Sequence, residues 1–72
     1  MRWQRNRQTN QWEATTGVWR AVVARMSGAG DWYPYVQRIA PPYDRRDGPA
    51  CEWAVEGRAW CEAEIARLEG AA

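Results

Sequence analysis

The 72-residue sequence predicts an α+β domain, an antiparallel three- or four-stranded meander with one C-terminal amphipathic helix packed on one face. Three observations predict it. Trp19-Arg-Ala21-Val-Val23-Ala-Arg25 returns thirteen residues later as Trp32-Tyr-Pro34-Tyr-Val36-Gln-Arg38, a W-x-[AP]-x-V-x-R echo of period two. Ser27-Gly-Ala-Gly30 between the copies is a turn-forming cluster. Beyond the prolines, Trp53, Gly57, Trp60, Cys61, Ile65 and Leu68 recur at helical spacing.

From the N-terminus, residues 1–7, centred on Trp3, read as a first strand, and the polar stretch from Asn6 to Asn10 as its turn. Thr16-Gly17 is taken as a two-residue turn before the echo. Pairing Thr15 with Val18 then sets Trp12 opposite Ala21 and Glu13 opposite Arg20. In the echo hairpin, Met26 against Asp31 sets Arg25 opposite Trp32, Val23 opposite Pro34, Ala21 opposite Val36 and Trp19 opposite Arg38. Side chains alternate along a strand, so these residues share one sheet face with Trp12 and Ala14. The two Trp–Arg pairs are expected as cross-strand cation–π contacts. Pro34 cannot donate to a ladder, so its strand is expected at an edge.

Residues 41–49 read as a stiff connector, and Gly48-Pro49 as a helix start with proline in first position. Ala50 to Glu69 is the predicted helix, with Gly70 as its stop. Gly57 costs about 1 kcal/mol relative to Ala there, which predicts close approach of helix to sheet. The helix is assigned to the face of Trp12, Ala14, Trp19, Ala21, Val23, Trp32 and Val36, with Arg25 and Arg38 at its margin. All 72 residues form one domain in this reading.

The other sheet face decides the functional expectation. Val18, Arg20, Val22, Ala24, Tyr33, Tyr35, Gln37 and Ile39 fall on it, and a single helix cannot cover both sides. An antiparallel sheet left in water should be polar on that side; an apolar one of several hundred Å² marks an interface. These residues are the candidate partner-binding surface. The partner is a protein, in its simplest form a second copy, and an accessory role or a phage-type inhibitor fits.

Chemistry is poorly represented. The sequence has no His, removing the commonest general base and metal ligand. Gly28 and Gly30 precede no helix and make no phosphate loop. Asp44 and Asp47 flank Arg45-Arg46 and read as turn formers with local ion pairs. Glu62 and Glu64 lie on different helix faces. Cys51 and Cys61, read on one helix, would stand about 15 Å apart along its axis, too far for a disulfide. No enzyme, metal or cofactor is expected, and reduced thiols place the chain in the cytoplasm. No apolar run approaches the about 20 residues that cross a bilayer, so no membrane is expected. Nothing at the start reads as a signal peptide.

Net charge is +1, unevenly spread: residues 1–48 carry +4 and residues 49–72 carry −3. The basic front supports an alternative, sheet-mediated nucleic-acid binding, with Arg20, Tyr33, Tyr35, Arg45 and Arg46 contacting phosphates and stacking on bases. The Trp19-x-Ala21-x-Val23 alternation before one amphipathic helix resembles the sheet-plus-helix DNA-binding domain of plant ethylene-response factors and phage integrase arms, over residues 10–69. The resemblance implies that the Trp, Ala and aliphatic positions pack on the helix while the residues between them enter the major groove. Arg20 matches a groove-facing position; Val22 and Ala24 depart from it, offering no hydrogen bond to a base edge.

Overall fold

The computed structural model describes residues 1–25 and 30–70. Five strands form one antiparallel sheet in the order β1-β2-β3-β4-β5: β1 Gln4–Asn6, β2 Gln11–Thr16, β3 Trp19–Arg25, β4 Trp32–Arg38 and β5 Arg45–Asp47. One helix follows, α1 Ala54–Gly70. The architecture is the expected α+β meander with a C-terminal helix, enlarged by β5. The helix is not long and apolar enough to cross a membrane.

The echo hairpin has the predicted register: Trp19 faces Arg38, Ala21 faces Val36, Val23 faces Pro34 and Arg25 faces Trp32. The expected Met26–Asp31 pairing and the turn at 27–30 fall on residues 26–29, outside the described residues. The β2–β3 register differs from expectation by two positions. Thr16 pairs with Trp19, and Trp12 pairs with Val23. The turn is therefore Gly17-Val18, with Gly17 at φ +56°. That is the first central position of a primed turn, where only glycine is unstrained. A slip of two preserves the face of every side chain, so the partition between sheet faces survives.

The first strand is shorter than predicted. Asn6 ends it by accepting hydrogen bonds from the backbone N–H groups of Gln8 (3.0 Å) and Thr9 (3.4 Å) through its side chain, the side-chain mimic of a turn. Asn10 closes the turn at φ +57°, which Asn tolerates better than most residues.

The expectation of an edge position for Pro34 is wrong, because β5 pairs with β4 on the far side from β3. Pro34 directs its carbonyl to that side, accepting from Gly48 N–H at 2.9 Å. Its missing donor therefore falls just past the last residue of β5. The ladder resumes beyond it, where Cys51 exchanges both backbone hydrogen bonds with Trp32 at 2.7 and 2.8 Å. One lost bond is tolerated where the strand is already ending. The same exchange corrects the helix start: Cys51 belongs to the sheet, and α1 begins only at Ala54. Trp53 is the N-cap, its carbonyl accepting from Glu56 N–H and Gly57 N–H. Glu56 returns its carboxylate to Trp53 N–H at 3.0 Å, half of a capping box. Trp53 is consequently 62% exposed and does not belong to the buried stripe.

The core lies between α1 and the predicted face. Trp19, Ala21, Val23 and Val36 pack with Cys61 and Ile65, and Trp3, Trp12, Trp32, Trp60 and Leu68 pack around them. Gly57 permits this spacing: a β-carbon there would lie 2.8 Å from Val23 Cγ1. Gly48 does the same for an indole, since its β-carbon would lie 2.7 Å from the Trp60 ring. Of the two expected Trp–Arg contacts, Arg25 sits over Trp32 at 5.7 Å. Arg38 turns instead to the carbonyls of Ala40 (2.7 Å) and Pro42 (3.3 Å). Burial raises the Cys61 thiol to about 12, and its Sγ donates toward the carbonyls of Val22 and Tyr35.

Candidate functional site: the sheet face opposite the helix

Register assigns the side opposite α1 residue by residue. Gln4 and Asn6 come from β1; Gln11, Glu13 and Thr15 from β2; Arg20, Val22 and Ala24 from β3; Tyr33, Tyr35 and Gln37 from β4; Arg45 and Asp47 from β5. Val18 and Ile39 sit together at one end, where Ile39 N–H donates to the Val18 carbonyl at 2.7 Å.

The centre of this face is dry. Val22 has 0% exposure although no helix covers it. Its direct cross-strand neighbours are Glu13 and Tyr35. Val22 therefore presents no area to a partner, which corrects its place in the candidate surface. Available apolar area is at the ends: Val18 37%, Tyr33 36% and Ile39 48% exposed. Tyr35, Gln37 and Ala24 lie half-buried between them.

The charges on the strands of this face are paired, while Arg2, ahead of β1, lines a cleft beside Glu13 and Arg20. Glu13 was expected directly opposite Arg20; it is diagonal to it, and the two still meet at 2.6 Å. Asn6 donates to the other Glu13 oxygen at 3.4 Å. On the far flank Arg45 donates to Asp47 at 2.9 Å. Its guanidinium also lies 4.0 Å from the centroid of the Tyr35 ring, a cation–π contact. The Asp47 hydrogen bond is the main reason that the Arg45 pKa is raised. Arg20 and Arg45 thus each carry their own counter-charge.

The five residues expected to contact nucleic acid do not form one surface. Arg20, Tyr33, Tyr35 and Arg45 share this face. Arg46 pairs with Val36 and so belongs to the helix side, where its charge helps to lower the Glu64 pKa after the Arg67 hydrogen bond. Arg46 is itself bound to Asp44 at 3.0 Å. Asp44 and Asp47 thus hold the arginines that they flank, as the sequence predicts.

Among the described residues no three His, Cys, Asp or Glu side chains gather as metal ligands would. Cys51 and Cys61 are both free. Burial, then the charges of Glu56 and Asp31, raise the Cys51 pKa, the opposite of what a nucleophilic thiol needs.

Sequence reasoning missed the contribution of β5 to this face, because Arg45-Arg46-Asp47 offers no apolar alternation. The recoverable signal was chemical: Asp47 and Arg45 stand two apart, the spacing that puts both side chains on one side of a strand. No protein-family model, curated protein or solved structure matches the chain.

Proposed function

We propose that this chain is a non-catalytic interaction module that docks a protein through the sheet face opposite α1, the simplest partner being a second copy of itself. The observation that carries this reading is the combination of Tyr33 and Tyr35 on one strand face with ion pairs already closed on both flanks. Tyrosine and arginine are enriched at interfaces. A face whose charges cancel locally meets another protein without a large opposing field, whereas a polyanion would find little net attraction. A two-fold axis through the β3–β4 centre sets the Glu13–Arg20 flank of one copy against the Arg45–Asp47 flank of the other, a self-complementary arrangement. The carboxylates on the face, Glu13 and Asp47, are committed to these pairs rather than poised for proton transfer. The free thiols suit a reducing, cytoplasmic setting.

Sedimentation velocity across a concentration series tests the proposal. The wild-type chain should exceed its 8.3 kDa monomer mass as concentration rises. Tyr33→Glu, at an exposed position, should return it to monomer with unchanged helicity. A wild type that stays monomeric at millimolar concentration, or a Tyr33→Glu variant that associates as strongly, rejects the self-associating form.

A further inference from the structure

The remaining arginines are distributed differently. At the β1–β2 corner, on the helix side of the sheet, Trp12 carries two guanidiniums: Arg58 from α1 at 4.5 Å and Arg5 from β1 at 6.0 Å from its ring centroid. Arg7 stands in the adjoining turn. Gln4, Arg5, Arg7, Asn10 and Trp12 line an open cleft of about 690 Å³. None of Arg5, Arg7 and Arg58 has an ion pair among the described residues. Glu13 holds Arg20, and Glu62, four residues after Arg58 and lining a shallow cleft with it, accepts the indole N–H of Trp3 at 2.8 Å. The Arg5 guanidinium donates to the neutral side chain of Asn10. Arg58 Nε is buried with no acceptor among the described residues, a state that native proteins seldom leave unexplained.

We propose that this corner is a binding site for single-stranded nucleic acid, with Arg5, Arg7 and Arg58 taking successive phosphates and the Trp12 stack acting as the platform for a base. Two cations share one indole and neither is ion-paired among the described residues, so a phosphodiester would supply the missing counter-charge. A guanidinium lying over a ring keeps its in-plane N–H groups free for bidentate contact with phosphate oxygens. The Asn10 amide N–H groups are donors for base edges. An acidic peptide would satisfy the charges but would leave the stacking platform unused. The site lies away from the Tyr33–Tyr35 surface, so it stands or falls independently of the docking proposal.

Fluorescence anisotropy of the full chain with a labelled 15-residue oligothymidylate is the test. Three phosphate contacts on a single strand give a log–log salt slope of about −2, hence an affinity loss of about 20-fold between 50 and 200 mM salt. Arg5→Ala with Arg7→Ala, both exposed positions, should reduce the slope to about −0.7 and that loss to about threefold. Arg45→Ala, on the opposite face, should leave binding unchanged, with circular dichroism confirming that each variant keeps its helix. No binding at 50 mM salt overturns the proposal. Equal weakening by Arg45→Ala removes the site from this corner. Displacement of the oligonucleotide by an equally charged oligoglutamate at the same concentration reassigns the ligand to an acidic polypeptide and overturns it too.

Discussion

The two faces of the sheet reach dryness by different routes. On the helix side a second layer closes the interior: Gly57, Cys61 and Ile65 of α1 lie over Ala21, Val23 and Val36. On the other side no helix lies over the sheet, yet Val22 is as inaccessible to water as Val23. Its strand is the third of five, and Glu13 and Tyr35 stand directly across from it on either side. A central strand flanked by long side chains can thus lose contact with water with no helix above it. A partner approaching this face meets tyrosine rings and closed ion pairs, not a valine floor.

The comparison is broken most severely at its centre. Val22→Glu places a carboxylate where neither water nor a cation is available, since Arg20 is already held by Glu13. The expected cost is about 4 kcal/mol or more, enough to unfold most small domains, and urea denaturation followed by circular dichroism measures it. If Val22 were a wet surface residue, the change would be within about 0.5 kcal/mol. On the helix side the corresponding substitution is Gly57→Ala. Alanine gains about 1 kcal/mol of helix propensity. Its β-carbon overpacks against a fully buried valine, which costs about 1–3 kcal/mol. A net loss of about 1 kcal/mol is expected, a fall of about 4–8 °C in melting temperature for a chain of this size. Pairing it with Val23→Ala should recover part of that loss, and strict additivity would show that the two side chains do not meet.

The smallest effect sharpens the helix side alone. Arg67, then more weakly Arg46 of β5, hold the Glu64 carboxyl below its ordinary value of 4.5. A depressed folded-state pKa contributes stability that is present above the unfolded value and lost as pH falls through the folded one. Glu64→Gln should therefore lower the urea midpoint slightly at pH 7. The difference from wild type should shrink as pH falls below 4.5, and a difference that does not shrink would assign the effect to packing.

The central hairpin was legible residue by residue, because its two copies share an alternation that admits one register. The faces were legible for the same reason. The β2–β3 turn was displaced, since Thr16-Gly17 and Gly17-Val18 both place the glycine centrally and only φ distinguishes them. β5 was hidden by its polarity; its three residues are ordered by backbone pairing to Tyr35, Val36 and Gln37 rather than by burial. The helix start was overrun because Ala50-Cys51 has helical propensity, which the bridge from Cys51 to Trp32 overrides. Burial of Val22 was not legible, because alternation identifies a face and says nothing of how tall its neighbours stand. The unpaired arginines at the β1–β2 corner were hidden in a count: eight arginines precede residue 49, and only folded geometry separates those that hold a carboxylate from those that do not.

Both borders of the sheet are three-residue strands, Gln4–Asn6 and Arg45–Asp47. Each exposes guanidinium groups, and neither is long enough to template a sixth strand. Such borders resist the lateral growth that turns open sheets into fibrils. Crowding this chain should therefore drive broad-side contact before cross-β polymer, and concentrated solutions should remain clear.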